Sequence, residues 1–343
     1  VRAIDLDGVR RRQAGGLPDG RLLGVGFGVF GEQSGFGVTS DGKKMQLYEQ
    51  ASARLTPDGT LDIRTGVHSH GQGLETTLAQ LAHEVLGIDP SEVRVIHGDT
   101  ELSPYSSGTW GSRCMVMSGG AVATACEAIA ERAVLIGASL LQSEVDNVRI
   151  EGGKVVAPGG AISLAEIARV WYLKPQDLPP DVNPAGLEVT VGYKPERDTG
   201  TFSYAAHAAV VAVDPELGHV EILDYVVVED GGVLVNPMVV DGQVYGGTAQ
   251  GIGTALYEES IYDENGQPLS TTFADYLLPG ATEIPDIKIG HMVTPAIHTK
   301  FGLKGMGEGG AIAPPAAIGN ALRDAFAFNG AEFNETPFTP CRV

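Results

Sequence analysis

Four short stretches of this 343-residue sequence hold the residue types that do chemistry. The most concentrated runs from Phe301 to Gly310, where five glycines surround one carboxylate, Glu308. Pro314, Pro315 and an alanine-rich run follow, and proline is preformed for the first helical position, so a helix is expected to open near 314–315. Glycine lets a backbone come close to a ligand. Two roles are open to Glu308 there: facing the positive end of the helix dipole, or acting as a general base.

The other three stretches also sit before helical patterns. Gly71-Gln72-Gly73 precedes Leu74, Leu78, Leu81, Val85 and Leu86, one apolar helical face closed by Gly87. Gln243, Gln250 and Gly251 fall in a glycine-rich run from Asp241 to Gly253, read as a loop that opens a helix through Leu256 to Glu259. Gly108-Thr109-Trp110-Gly111-Ser112-Arg113-Cys114 leads into a helix expected over about 117–142. Ser112, Arg113 and backbone N–H groups at that helix mouth read as an anion cradle, or as an ordinary loop before a cap. A glutamine amide both donates and accepts. Four glycine-rich mouths together point to an extended polar ligand held by amides and backbone rather than by charge.

The elements that must position these loops follow from pattern. Residues 1–35 read as a leading segment, with Arg10–Arg12 in exposed coil before a glycine-rich strand at 23–31. A hairpin at 46–66 turns on Pro57-Asp58-Gly59, and Val93–Ile96 is a short strand. Val148–Val156 is a second hairpin, and Ser163 with Glu166 forms a capping box for a helix to about 172. Residues 173–204 are Pro-rich and polar, a linker or long loop. The strands 206–213 and 219–228 form the strongest hairpin. The division expected is a first lobe over 36–180, a second over 200–330 carrying Glu308, and a tail at 331–343. The fold class is α+β, two related lobes of mixed sheet and helices.

Composition narrows the partners. The net charge of −20 disfavours nucleic acid and anionic membranes, which select basic surfaces. No run approaches the roughly 18 apolar residues of a span, and no signal-peptide core opens the sequence, so a cytoplasmic protein without a membrane span is expected. Cys114, Cys126 and Cys341 are isolated from one another, so these residues alone make no iron–sulfur or structural zinc site. His68 and His70 lack a third ligand nearby and read as incidental. Gly26–Gly31 matches the dinucleotide fingerprint formally, but Glu32-Gln33-Ser34-Gly35 follows instead of a helix.

In order and spacing from about residue 20 to 328, these motifs resemble the molybdopterin-binding large (molybdenum) subunit of the xanthine dehydrogenase/aldehyde oxidoreductase/carbon monoxide dehydrogenase family. The residues that carry the resemblance are Gly71–Thr77, Gly98-Asp99-Thr100, Gly108–Arg113, Asp241–Gly253 and Lys304–Ala311. It implies a molybdenum hydroxylase subunit that hydroxylates an electrophilic carbon of an aldehyde, purine or N-heteroaromatic with oxygen from water. The implied cofactor is molybdopterin with molybdenum, extended as the cytosine dinucleotide in bacterial members. The pterin dithiolene holds the metal, so no protein metal ligand is required.

By that resemblance Glu308 is the catalytic base, and a carboxylate desolvated in a cleft has its proton affinity raised toward neutrality, as a base needs. Gly71, Gln72, Gly73, Gln250 and Gly251 lie near metal and pterin. Trp110, Gly111, Ser112, Arg113 and Cys114 bind the pterin and its phosphates. Gln243 is a further cofactor contact, and Lys304 supports the catalytic loop. The family's large subunit is about twice this length and the sequence resembles its C-terminal half. That implies a second molybdopterin-binding subunit, as in the split nicotinate dehydrogenase type, or cleavage of a longer chain. A 2Fe–2S subunit and an FAD subunit are the implied electron partners. Two alternatives remain: a nicotinamide-dependent oxidoreductase built on Gly305–Gly310, whose Glu308 would repel a pyrophosphate, and a non-catalytic assembly homologue.

Overall fold

Arg10–Arg12 do not lie in coil. They belong to a helix, α1 (Leu6–Gly15), whose Asp5 side chain accepts the Gly8 N–H at 3.3 Å in the computed structural model. The structure describes residues 2–35, 37–38, 42–45, 48–180, 182, 186–197 and 200–343. Val9 seats α1 under the next element, β1 (Leu22–Ser34), through Leu23 and Val25. The opposite face of β1 carries Gly24, Gly26 and Gly28. A two-strand ladder, β2 (Gly37–Val38) and β3 (Lys44–Met45), follows.

Strands β4 (Glu49–Leu55) and β5 (Leu61–Thr65) make the expected hairpin; Leu47 lies outside the described residues. Helix α2 (Leu74–Leu86) crosses to β6 (Val93–Ile96), which pairs parallel with β5, and Gly87 closes α2 at φ 66°. A single π-helical turn (Met115–Gly119) then opens α3 (Gly120–Leu140), packed on the hairpin. The second hairpin gains a third strand: β7 (Arg149–Glu151), β8 (Lys154–Ala157) and β9 (Gly160–Ser163), the last too short for its pattern to be read. Ser163 and Glu166 form the capping box of α4 (Leu164–Leu173). The stretch expected to be linker holds a strand, β10 (Glu188–Tyr193), which pairs antiparallel with β4. Its alternate residues Val189, Val191 and Tyr193 pack into the first sheet's core with α3, a burial that polar composition does not reveal.

Strands β11 (Thr201–Val213) and β12 (Val220–Asp230) form the long hairpin, and helix α5 (Pro237–Leu256) crosses to β13 (Ile287–Met292), parallel to β12. Short α6 (Gly309–Ile312) and α7 (Pro314–Ala325) follow. The two sheets, β10-β4-β5-β6 and β1-β11-β12-β13, thus share one plan: two antiparallel pairings, a helical crossover, a parallel strand, a long loop, then a helix laid over the sheet. Each sheet buries its own apolar core. Strand β1 pairs with β11 along its full length, so it belongs to the second sheet.

The Asp241–Gly253 run is not a loop. Asn236 caps α5 by accepting the Val239 N–H at 3.2 Å, Pro237 takes the first turn, and the helix passes through every glycine, ending at Leu256. Gln250 is therefore in mid-helix. Two of these glycines serve packing on the elements that follow: a Cβ on Gly247 would fall 3.0 Å from Gly310 Cα, and one on Gly251 would fall 2.5 Å from Pro314 Cγ, whereas Gly242 and Gly246 face open space. That closeness offsets a helix cost of roughly 1 kcal/mol per glycine.

Candidate active site

The two long loops of the repeated plan, 97–114 and 293–308, come together between the sheets. Leu303 from the second loop is buried in the first sheet's core, and Met306 packs into the second sheet's. The end of the second loop and the helices after it are held by β1. Ser34 Oγ accepts the Gly305 N–H at 3.0 Å, Phe30 lies against Gly309, and Gly26 lets Ala317 and Ala321 backbone approach to about 2 Å of where a Cβ would be.

Lys304 is buried (7% exposed). Its Nζ donates to Asp230 Oδ1 at 3.0 Å and lies 4.8 Å from the Tyr204 ring centre. Asp230 also accepts N–H groups from Gly232 and Thr294. Burial raises its carboxyl, but the Thr294 hydroxyl, Lys304 and these amides more than offset that and hold it at about 2. This pair fixes the loop root; the sequence showed Lys304 but not its partner 74 residues away.

Glu308 stands just before α6 with no side-chain cap hydrogen bond to that helix, and its side chain is exposed. Its N–H donates to Ser112 Oγ at 2.9 Å, and Ser112 Oγ reaches Glu308 Oε2 at 3.4 Å. Glu308 lies on the rim of two cavities. The first, about 260 Å³, also has Gln72, Trp110, Ser112, Arg113, Cys114, Gln243 and Lys304 in its wall. The second is a cleft lined by Glu32, Gly247, Gln250, Gly307, Ala311 and Ile312.

Most of the residues named from the sequence meet here, in unequal ways. Gln72 accepts the His70 N–H at 2.7 Å and donates to the His68 carbonyl at 3.1 Å, between Gly71 and Gly73, both at positive φ. Gln243 donates to the Gly307 carbonyl at 3.1 Å. Trp110 donates to the Ser107 carbonyl at 3.0 Å and is 44% exposed. Gly111 and Ser112 both hold left-handed backbone, φ 57° and 53°.

Arg113 is buried, its Nη1 shared between Glu49 (2.8 Å) and the Gly108 carbonyl (2.6 Å). Burial pushes the Glu49 carboxyl up, against Arg113 and Ser106. Burial likewise raises the Cys114 thiol, against the Thr109 hydroxyl and the Arg113 charge. Gly251 is buried against Pro314, and it, Gly71, Gly73 and Gly111 are not among the residues lining either cavity. Gln250 faces the second cleft rather than the first. The residues sequence reasoning missed, Glu32 and Asp230, are acids at the polar ends of long strands, where nothing local sets them apart from turn residues.

The fingerprint at Gly305–Gly310 has no strand before it, because β13 ends at Met292 and a 3-10 turn (Lys300–Gly302) intervenes. Comparison with known proteins shows the family. Residues 2–285 match the profile of the molybdopterin cofactor-binding domain. The chain belongs to that family. This molybdopterin-binding chain is 37% identical over 346 residues to the nicotine 6-hydroxylase large subunit of Paenarthrobacter nicotinovorans, covering 99% of this chain and 42% of that one. It is 32% identical over 331 residues to the carbon monoxide dehydrogenase large chain of Afipia carboxidovorans, covering 94% and 40%. The crystal structure of quinoline 2-oxidoreductase from Pseudomonas putida 86 superposes with a TM-score of 0.92 at 36% identity, over 99% of this chain and 44% of that one. The molybdopterin-binding chain thus spans about two-fifths of the length of these relatives.

The residues present fit such a cofactor. Arg113 Nε and Nη2 are buried donors without a partner at the wall of the first cavity. Gly111 and Ser112 turn the backbone beside them, and Gln72 and Gln243 line the same cavity. Among the described residues no three His, Cys, Asp or Glu side chains could hold a metal ion, and no helix is long and apolar enough to cross a membrane.

Proposed function

We propose that this chain is the part of a molybdenum hydroxylase that carries its catalytic base and one wall of its cofactor cleft. The observation that carries the reading is Glu308: a carboxylate without a cap role, hydrogen-bonded to Ser112 and exposed where two cavities meet. Bound molybdopterin, in the cytosine dinucleotide form, supplies two-electron oxidation of a carbon centre with oxygen from water. Gln72 and Gln243 would hold it through their amides, and Trp110 to Cys114 would bind the pterin and its phosphates, with the spare N–H groups of Arg113 as donors. Gln250 acts from the second cleft.

The role of Glu308 is to take the proton that water loses as its oxygen is delivered to the substrate, an electrophilic aldehyde, purine or N-heteroaromatic. Its exposure means that the desolvation a base needs comes from whatever closes the cleft. The remaining wall comes from a second molybdopterin-binding segment outside this sequence, on the same or a separate chain. Phe273 and Ile297 (both 81% exposed) and Met238 (77%) are large apolar residues that such a segment would cover. Electrons leave through 2Fe–2S and FAD partners.

Glu308→Gln in the assembled enzyme tests the assignment. Turnover falls by at least about a hundredfold, the usual worth of acid–base catalysis, with molybdenum and pterin content unchanged. Retained turnover removes Glu308 from the role. Cofactor bound without turnover in the wild-type complex would support the non-catalytic homologue instead.

A further inference from the structure

The two sheets share one plan, but the faces they turn away from their crossover helices differ in chemistry. On the first sheet, Thr190, Ser52 and Arg64 form a cross-strand row from β10 to β5. The Ser52 and Thr190 hydroxyls meet at 2.6 Å, and Asp62 in the next row takes Arg54 at 2.6 Å and Arg94 at 2.9 Å. This face is polar and paired within itself, as a solvated sheet face should be.

The equivalent row on the second sheet is Val29, Ala206 and Val228, and the next is Tyr204, Asp230 and Met292, with Phe202 beyond Tyr204. Half of that face lies under α1 and the turn before it, where Ile4 and Val9 meet Leu23, Val25 and Val226. Among the described residues nothing covers the other half: Val29 is 77% exposed, and Phe202, Tyr204, Val228 and Met292 are exposed too. Asp230, the acid in these rows, is already paired with Lys304. Contiguous apolar surface of this kind, on a chain of net charge −20, marks an interface. It also touches the Glu308 loop. The Tyr204 hydroxyl donates to Asp230 Oδ2 at 3.2 Å, its ring faces Lys304 Nζ, and exposed Val293 continues from Met292 into the loop.

We propose that this open half-face is the seat of the second molybdopterin-binding segment, the part of the molybdenum subunit outside this sequence. The inference rests on the reading of the chain as one wall of a cofactor cleft, and it says where the other wall is anchored. Two observations favour that occupant over a second copy or an electron-transfer partner. The relatives carry the matched region inside chains more than twice as long, 42% and 44% covered, so over half of each such chain has to pack outside the matched region. The patch is also joined through Tyr204 and Asp230 to the root of the loop that presents Glu308, which is where a segment closing the cleft has to stand.

The test puts the photo-crosslinking residue p-benzoylphenylalanine in place of Val29 in the assembled enzyme, with the same residue in place of Thr190 on the polar sheet as control. Products are mapped by mass spectrometry. Position 29 is expected to cross-link to the molybdenum-subunit segment outside this sequence, and position 190 to give no such product. A cross-link from position 29 to a second copy of this chain or to an iron–sulfur or flavin chain, or none at all, overturns the proposal. If the Val29 variant does not assemble, the same residue in place of Phe202 decides instead. As a second readout, Val29→Lys is expected to lower the molybdenum and pterin retained by the purified enzyme on the order of tenfold, because it leaves an unpaired charge at a desolvated contact, while Thr190→Lys retains both. Equal retention in the two variants counts against the proposal. The cross-link does not depend on turnover, so retained turnover in Glu308→Gln, which would overturn the base assignment, is read separately from it.

Discussion

The Ser112 hydroxyl accepts the Glu308 amide N–H at 2.9 Å and reaches the same residue's carboxylate at 3.4 Å. The two residues come from equivalent long loops of the two sheets, so one hydrogen-bonding hydroxyl ties the repeated halves together at the proposed base. The tie is made by a residue at φ 53°, a backbone state that costs a non-glycine residue about 1 kcal/mol or more.

Substitution separates the hydroxyl from the strain. Ser112→Ala keeps the backbone cost and loses the hydroxyl, whereas Ser112→Gly loses both. Ser112→Gly is expected to be more stable than Ser112→Ala by about 1 kcal/mol in thermal unfolding. Both should lose turnover in the assembled enzyme to a similar degree. Activity that tracks stability across the pair would mean the hydroxyl acts only on folding.

The loop root rests on a buried ion pair. Removing one partner leaves the other charged and unpaired, so Lys304→Met or Asp230→Asn should each cost about 3–5 kcal/mol, and the double variant less than either. Denaturant unfolding of the three variants measures this. Asp230 has its carboxyl lowered from 3.8 to about 2, so its stabilisation is present above pH 3.8 and is lost as pH falls toward 2. Acid unfolding of Asp230→Asn should accordingly be shallower over that window.

Glu229 behaves in the opposite sense. Burial raises its carboxyl to about 7, against the His291 ring 3.0 Å away, while Asp241 and Asp230 push it further up. The unfolded chain ionises near 4.5 and the folded chain near 7, so the folded state binds the extra proton between these values. Its contribution is full below pH 4.5 and falls by about 3 kcal/mol as pH rises through 7. Glu229→Gln, neutral throughout, should flatten stability between pH 4.5 and 7, as urea midpoints across that range would reveal. An unchanged slope would assign the pH dependence elsewhere.

The glycine face of β1 is a packing surface against α7. Gly26→Ala places a methyl about 2 Å from the Ala317 carbonyl oxygen and should cost about 1–3 kcal/mol as β1 and α7 separate. Gly31→Ala, with open space around it, is the control and should lie near wild type. Because the same strand seats Gly305 through Ser34, the Gly26→Ala enzyme should also lose turnover beyond its loss of fold. Equal stabilities for the two variants would show that the helix can move away freely.

Features whose causes are local were legible in the sequence. The α2 stripe with its Gly87 stop, the Ser163–Glu166 capping box, the β11–β12 hairpin and the helix opening at Pro314 all depend on residues a few positions apart. Glu308 stood out for the same reason, one acid among five glycines, and the order of the motifs marked the molybdopterin-binding family. What tertiary structure alone decided depends on distant partners. The glycines of α5 read as a loop because the contacts of Gly247 and Gly251, with α6 and Pro314, lie some 60 residues away. Strand β10 read as linker because its partner is β4. Lys304 acquired Asp230, and Glu308 acquired Ser112, only when the loops of two sheets closed on one another. Local propensity sets which elements form; the packing of glycine faces and buried charges sets where a carboxylate ends up, and so what it can do.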